Sequence, residues 1–195
     1  MKKYIYSFLL LSSFAWGQNE EGLRFKTELG IGFINHVFLG DNYLSKGHKK
    51  HAVGAVLKLN LLRYTNFILG FEFEKNTSKV ADFAIGGNID KTNMNSFRGL
   101  LSYRVYTSER FTFDPQIKYG TVDLRQKSGS KFYGNQKGST IGIGVDVLYN
   151  FSDGLAVFSN VGYNYYHLNV NTTPEFKDYF NHSHSINLTI GLKLN

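Results

Sequence analysis

Residues 185–194 read Ser-Ile-Asn-Leu-Thr-Ile-Gly-Leu-Lys-Leu. Every second residue is a large aliphatic: Ile186, Leu188, Ile190, Leu192 and Leu194. A period of two places these on one face of an extended chain, with Ser185, Asn187, Thr189, Gly191 and Lys193 on the other. The stretch reads as a strand with one apolar and one polar face. The same alternation recurs upstream. Leu23, Phe25, Leu29, Ile31 and Phe33 oppose Arg24, Lys26, Glu28, Gly30 and Gly32. Val53, Ala55, Leu57, Leu59 and Leu61 oppose Gly54, Lys58 and Asn60; Phe67, Leu69, Phe71 and Phe73 oppose Gly70, Glu72 and Glu74. Phe97, Leu101, Tyr103 and Val105 oppose Arg98, Ser102 and Arg104; Phe111, Phe113, Ile117 and Tyr119 oppose Thr112, Asp114, Gln116 and Lys118. Ile141, Ile143, Val145, Val147 and Tyr149 oppose Gly142, Gly144, Asp146 and Asn150; Val157, Val161, Tyr163 and Tyr165 oppose Asn160, Gly162 and Asn164.

These are eight strands, each near the ~10 residues with which a tilted strand crosses a bilayer. Their connections alternate in length. Long ones run at 35–51, 79–95, 123–139 and 169–183, and short ones at 63–66, 107–110 and 152–154. That asymmetry belongs to membrane barrels, which have tight periplasmic turns and longer outer loops. The reading is all-β: an eight-stranded antiparallel up-and-down transmembrane β-barrel with short periplasmic turns and long extracellular loops.

Alternation alone does not say which face is wet, and a soluble lipocalin-like ligand-binding barrel would turn the apolar face inward. The bulk of the side chains argues against it. About five large residues per strand exceed what an eight-stranded lumen holds, whereas the Gly- and Ser-rich face suits a crowded interior. Aromatics also gather near the strand ends, as in the interfacial girdles of membrane barrels. Phe25, Tyr64, Phe67, Phe111, Phe113, Tyr149 and Phe151 fall on the turn side, and Phe33, Phe73, Phe97, Tyr119 and Tyr165 on the loop side. The polar face then becomes a lumen network of Arg24, Lys26, Glu28, Lys58, Glu72, Glu74, Arg98, Arg104, Asp114, Lys118, Asp146 and Asn160. The short turns set Lys58 opposite Glu72, Arg104 opposite Asp114 and Asp146 opposite Asn160, supplying the partners that buried charges need. Pro115 cannot donate to a closed ladder, so a bulge or fraying is expected there.

At 195 residues the chain fits one domain, and with no Cys it has neither disulfides nor thiolate metal sites. Lys2 and Lys3, the apolar run 4–14 and Ala15-Trp16-Gly17 read as a cleavable signal peptide over residues 1–17, leaving 18–195 as the barrel domain, with cleavage after Ala15 as the other choice. Cleavage before Gln18 leaves 20 of the 22 basic residues against 15 acidic ones, a net +5. On an exported protein that charge points to anionic lipid headgroups and away from nucleic acid.

Residues 22–195 thus resemble, by pattern, the small outer-membrane proteins of the OmpA/OmpX transmembrane type and the broader outer membrane protein beta-barrel family of Gram-negative bacteria. The resemblance implies an integral outer-membrane protein, insertion by the outer-membrane assembly machinery, and contact with outer-membrane lipids and lipopolysaccharide. The chain ends Leu192-Lys193-Leu194-Asn195, without the terminal aromatic usual in such barrels.

The expected role is structural or surface-binding through the outer loops, non-enzymatic and without cofactor or metal. The loops carry a basic patch, Lys46, Lys49 and Lys50 in the first and Arg125, Lys127, Lys131 and Lys137 in the third, suited to phosphates or an acidic partner. His36, His48, His51, His167, His182 and His184 fall in or beside the outer loops and are expected to be solvated, since metal-site spacing is absent. One alternative is a narrow porin-like or hydrophobic-solute channel, which the lumen charge pairs oppose. The other is a lipid A-modifying barrel enzyme, for which Ser183, Ser185, His182, His184, Glu175 and Asp178 collect near one rim.

Overall fold

The structure is a computed structural model that describes residues 22–106, 108 and 110–194. The signal-peptide expectation for residues 1–17 lies outside the described residues. The strands are β1 (Leu23–Leu39), β2 (His51–Tyr64), β3 (Phe67–Lys79), β4 (Lys91–Tyr103, resuming at Val105–Tyr106), β5 (Phe111–Ser128), β6 (Lys131–Ser152), β7 (Leu155–Leu168) and β8 (His182–Leu194). Each pairs antiparallel with its neighbour in sequence, and β1 pairs with β8, closing an eight-stranded ring. Closure leaves no edge strand, the condition for crossing a bilayer with strands.

The faces fall as the bulk argument requires. Ile143, Leu188 and Ile190 are each about 60% exposed on the outer wall, whereas Glu72, Arg98 and Asn160 on the inner face are buried. The girdles form: Phe67 meets Tyr103, and Phe111, Tyr149 and Phe151 make successive edge-on contacts at the turn side. On the loop side Phe71 stacks on Phe97. Glycine supports the curvature where strands approach most closely. A Cβ on Gly120 would lie 2.0 Å from the carbonyl oxygen of Phe97. Directly opposite Gly120 sits Arg98, whose large side chain fills the lumen that Gly120 leaves empty.

Two expectations need correction, and a third takes one of its two forms. The third long connection, 123–139, is not a loop: β5 and β6 continue outward as a ribbon turning at Gly129 and Ser130, with Gly129 at φ +57°. The other outer connections carry short helices, α1 (Tyr43–Gly47), α2 (Phe83–Gly86) and α3 (Lys177–Asn181). At Pro115 the expected disturbance takes the form of fraying and not of a bulge, since Pro115 keeps register with Val145. The missing N–H is absorbed on the other side, where β4–β5 pairing stops at Ser102 and resumes at Val105, and the Arg104 N–H donates to the Asn66 carbonyl at 2.7 Å. Finally, Arg24 and Lys26 are exposed rather than luminal. β1 keeps its alternation here, but its pairing with β8 begins only at Leu29 opposite Leu194, so the segment carrying Arg24 and Lys26 runs past the closed ring at the periplasmic end, where water reaches both side chains.

Candidate functional site

Two places hold polar chemistry: the lumen and the outer rim. In the lumen, Glu28, Lys58, Glu72, Glu74, Arg98, Arg104, Asp114, Lys118, Asp146 and Asn160 are all buried. Near the periplasmic end Arg104 binds Glu28 (Nη1–Oε1 2.8 Å) and Asp114 (Nη2–Oδ2 2.8 Å), and Lys193 Nζ reaches Glu28 at 2.7 Å. Above them Lys58 faces Glu72 in the register, yet its closer partner is Asp146 across the lumen at 2.7 Å, against 3.6 Å to Glu72. Gln116 and Asn160 also donate to Asp146. Higher still, Arg98 binds Glu72, Glu74 and Asn164, and Lys118 Nζ donates to Glu72 at 2.8 Å. Lys193, Gln116, Asn164 and Asn187 complete this network. They lie on the polar faces the alternation marks, but which of them meet depends on contacts across the lumen.

Toward the outer mouth the lumen turns apolar. Phe38, Ala52, Met94, Val122, Leu124, Tyr166 and Leu168 point inward and pack with Tyr43 and Leu44 of the first loop. Asn42 caps α1 in a capping box, its Oδ1 accepting from the Ser45 N–H at 3.1 Å, which fixes Tyr43 and Leu44 over the opening. Gln126 donates to the Tyr43 hydroxyl at 3.0 Å, and Phe180 of α3 packs on the Tyr43 ring. The lumen is therefore closed twice, by interlocked charges below and an apolar plug above.

Two histidines are buried, not solvated. His48 is held in the loop layer by Thr92 at 2.7 Å and the Tyr43 ring, and burial pushes its imidazole below the ordinary value. His36 lies in the lumen, Nδ1 at 3.1 Å from Ser185 Oγ and Nε2 at 3.3 Å from Glu74. This Ser–His–carboxylate contact has the composition of a hydrolase triad. All three residues are completely buried beneath the plug, and Glu74 is committed to Arg98. Neighbouring Ser and His of β8 do not meet. Strand alternation turns Ser183 and Ser185 inward, while His182 and His184 face outward against Tyr165 and Tyr163.

The basic residues of the first and third loops lie on one flank of the rim. Lys49, Lys50, Arg125, Lys131 and Lys137 are exposed and Lys127 half-buried, while Lys46 pairs with Asp41 at 3.7 Å. The Lys49 N–H donates to the Lys79 carbonyl at 2.8 Å, and Lys79, Lys91 and Lys127 face one another across successive strands. Lys79 and Lys91, with Lys75, link the two groups. They escape a sequence reading because the strand ends that carry them, 75–79 and 91–95, have polar residues on both faces.

A closed eight-stranded ring with an apolar outer wall, aromatic girdles and a filled polar interior defines the class: an integral transmembrane β-barrel. The chain belongs to the outer membrane protein beta-barrel domain family, whose profile matches residues 6–192. It resembles solved structures over most of its length. Neisserial surface protein A superposes with a TM-score of 0.66 at 13% identity, covering 89% of this chain and 99% of that one. Ail, the attachment invasion locus protein of Yersinia pestis, gives 0.51 at 14% identity, covering 89% and 98%. The outer membrane protein OprG of Pseudomonas aeruginosa gives 0.52 at 11% identity, covering 91% and 98%. At these identities the likeness concerns the fold. No curated protein sequence matches.

Proposed function

We propose that this integral outer-membrane barrel is non-enzymatic and acts by what its outer rim binds, not by what passes through it. The observation that carries this is the double closure of the lumen. Every buried charge in the spanning region sits against an opposite one, from Arg104 with Glu28 and Asp114 up to Arg98 with Glu72 and Glu74. Opening a path would separate charges held in a low-dielectric interior, each separation costing several kcal/mol. The plug over Tyr166 would have to leave as well. Burial of Ser185, His36 and Glu74 also withholds that contact from any lipid substrate. What remains accessible is the rim with its basic flank. The partners in this reading are outer-membrane lipids and lipopolysaccharide, with the outer-membrane assembly machinery inserting the chain and no role for nucleic acid.

Planar-bilayer recording tests the proposal. The purified barrel inserted at 1 M KCl is expected to give no resolvable single-channel steps above the bare bilayer. Reproducible steady conductance would contradict it and favour the channel alternative.

A further inference from the structure

Six basic side chains project outward from one flank of the outer rim: Lys75 and Lys79 on β3, Lys91 on β4, Arg125 and Lys127 on β5, and Lys137 on β6. The register sets Lys79 directly opposite Lys91, and Lys91 directly opposite Lys127. Like charges directly opposite one another weaken an antiparallel pair. A column of three lysines is most stable with an anion lying across it. Among the described residues none of the five lysines makes an ion pair, and the nearby carboxylates are engaged elsewhere. Asp123 takes Arg125 at 2.9 Å, and Asp90 accepts the Gly129 N–H at 2.9 Å.

The position of the column is set by the girdle below it. Phe73 pairs with Phe97, and Lys75 is the next outward residue of β3. Aromatic belts sit at headgroup level, so the cations lie at or just above the headgroups of the outer leaflet. Two concavities open there, of about 450 and 520 Å³, sharing Asp123, Arg125 and Lys127. Phe73 lines the first together with Lys75. A ligand in it meets the apolar membrane wall at one end and cations at the other, which fits an amphiphile better than a soluble polyanion. The opposite flank carries Asn35, Tyr165, His167, His182 and His184 at the rim, and Lys177 there stands between Glu175 and Asp178, so the net positive surface lies on the β3–β6 side.

We infer that this flank binds the phosphorylated sugar headgroup of an outer-leaflet glycolipid. Its phosphates lie over the Lys79–Lys91–Lys127 column, and its acyl chains run down the wall past Phe73 and Phe97. The inference rests on the rim-binding reading and assigns its lipid contact to named residues. Bilayer conduction would overturn that reading without bearing on lipid retention.

The test uses the purified barrel in detergent with either bisphosphorylated lipid A or the same lipid stripped of phosphate, and retained lipid is counted by native mass spectrometry. The parent is expected to retain the phosphorylated form at least about tenfold more strongly. The variant Lys79→Gln/Lys91→Gln/Lys127→Gln is expected to lose affinity for it by about 100-fold, given the usual contribution of a lysine near an anionic surface. In lipid-free detergent that variant should melt at the same temperature as the parent or higher, because the lysine repulsion is relieved, which separates lost binding from misfolding. Equal retention of the two lipids, or undiminished preference in the variant, would overturn the inference. Sucrose octasulfate binding the column as tightly as the phosphorylated lipid would also overturn it and give the flank to a soluble polyanion.

Discussion

Replacing Arg98 by methionine is expected to lower the unfolding free energy by about 3–5 kcal/mol, the usual cost of leaving a buried charge without its partner. Arg98 is completely buried, and its guanidinium holds Glu72, Glu74 and Asn164 together. Without it Glu72 keeps Lys118 at 2.8 Å and Lys58 at 3.6 Å, but Glu74 keeps no lysine or arginine among the described residues, only His36 at 3.3 Å and the neutral donors Ser96 at 3.2 Å and Asn76 at 3.5 Å. The deficit therefore concentrates on Glu74. The double variant Arg98→Met/Glu74→Gln should recover most of the loss, since removing both partners of a buried pair is often near neutral. Urea unfolding from lipid vesicles, followed by circular dichroism, measures both. A loss below about 1 kcal/mol in the single variant would mean that water reaches Glu74, and the lumen would then be wet rather than plugged.

Gly120→Ala is expected to cost about 3 kcal/mol or more, beyond the usual range for overpacking because the obstruction is backbone. A Cβ there would meet the Phe97 carbonyl oxygen at 2.0 Å and the Arg98 Cα at 2.6 Å, so β4 and β5 would have to part. Gly54→Ala should behave alike, its Cβ falling 1.9 Å from the Lys75 carbonyl oxygen. Gly99→Ala is the control. Its nearest neighbour is the Tyr119 carbonyl oxygen at 3.8 Å, and it should change stability by only a few tenths of a kcal/mol. Equal effects at Gly120 and Gly99 would show that close strand approach does not constrain this barrel.

The barrel itself was legible because alternation survives averaging: one apolar face repeated eight times has few other uses, and the short turns fixed which strands pair. Face assignment followed from volume, since Phe, Leu and Ile at these positions do not fit an eight-stranded lumen. Local register also placed Lys58 opposite Glu72. It did not show that Lys58 reaches Asp146, because that contact spans 88 residues and depends on how the closed ring tilts. Arg24 and Lys26 lie outside the buried network because β1 extends past the end of β8, and alternation carries no mark of where the ring ends. The rim was least legible. Above the membrane the strands of β5 and β6 lose their apolar face, so a ribbon with Arg125, Lys127, Lys131 and Lys137 along it reads like a charged loop. The burial of His36 and His48 was invisible too, because their partners Ser185 and Thr92 lie far along the chain.

The central claim, apolar wall to lipid and polar face sealed inside, can be measured on adjacent residues. The chain has no Cys, so single cysteines carry a spin label without background. Leu188 is 58% exposed on the outer wall, and its neighbour Thr189 is 2% exposed in the lumen. In vesicles, a label on Leu188→Cys is predicted to collide freely with oxygen, which concentrates in lipid, and poorly with a water-soluble nickel complex. The Thr189→Cys label is predicted to be shielded from both. A Leu188 label that meets nickel as readily as oxygen, or a Thr189 label open to nickel, would contradict the account.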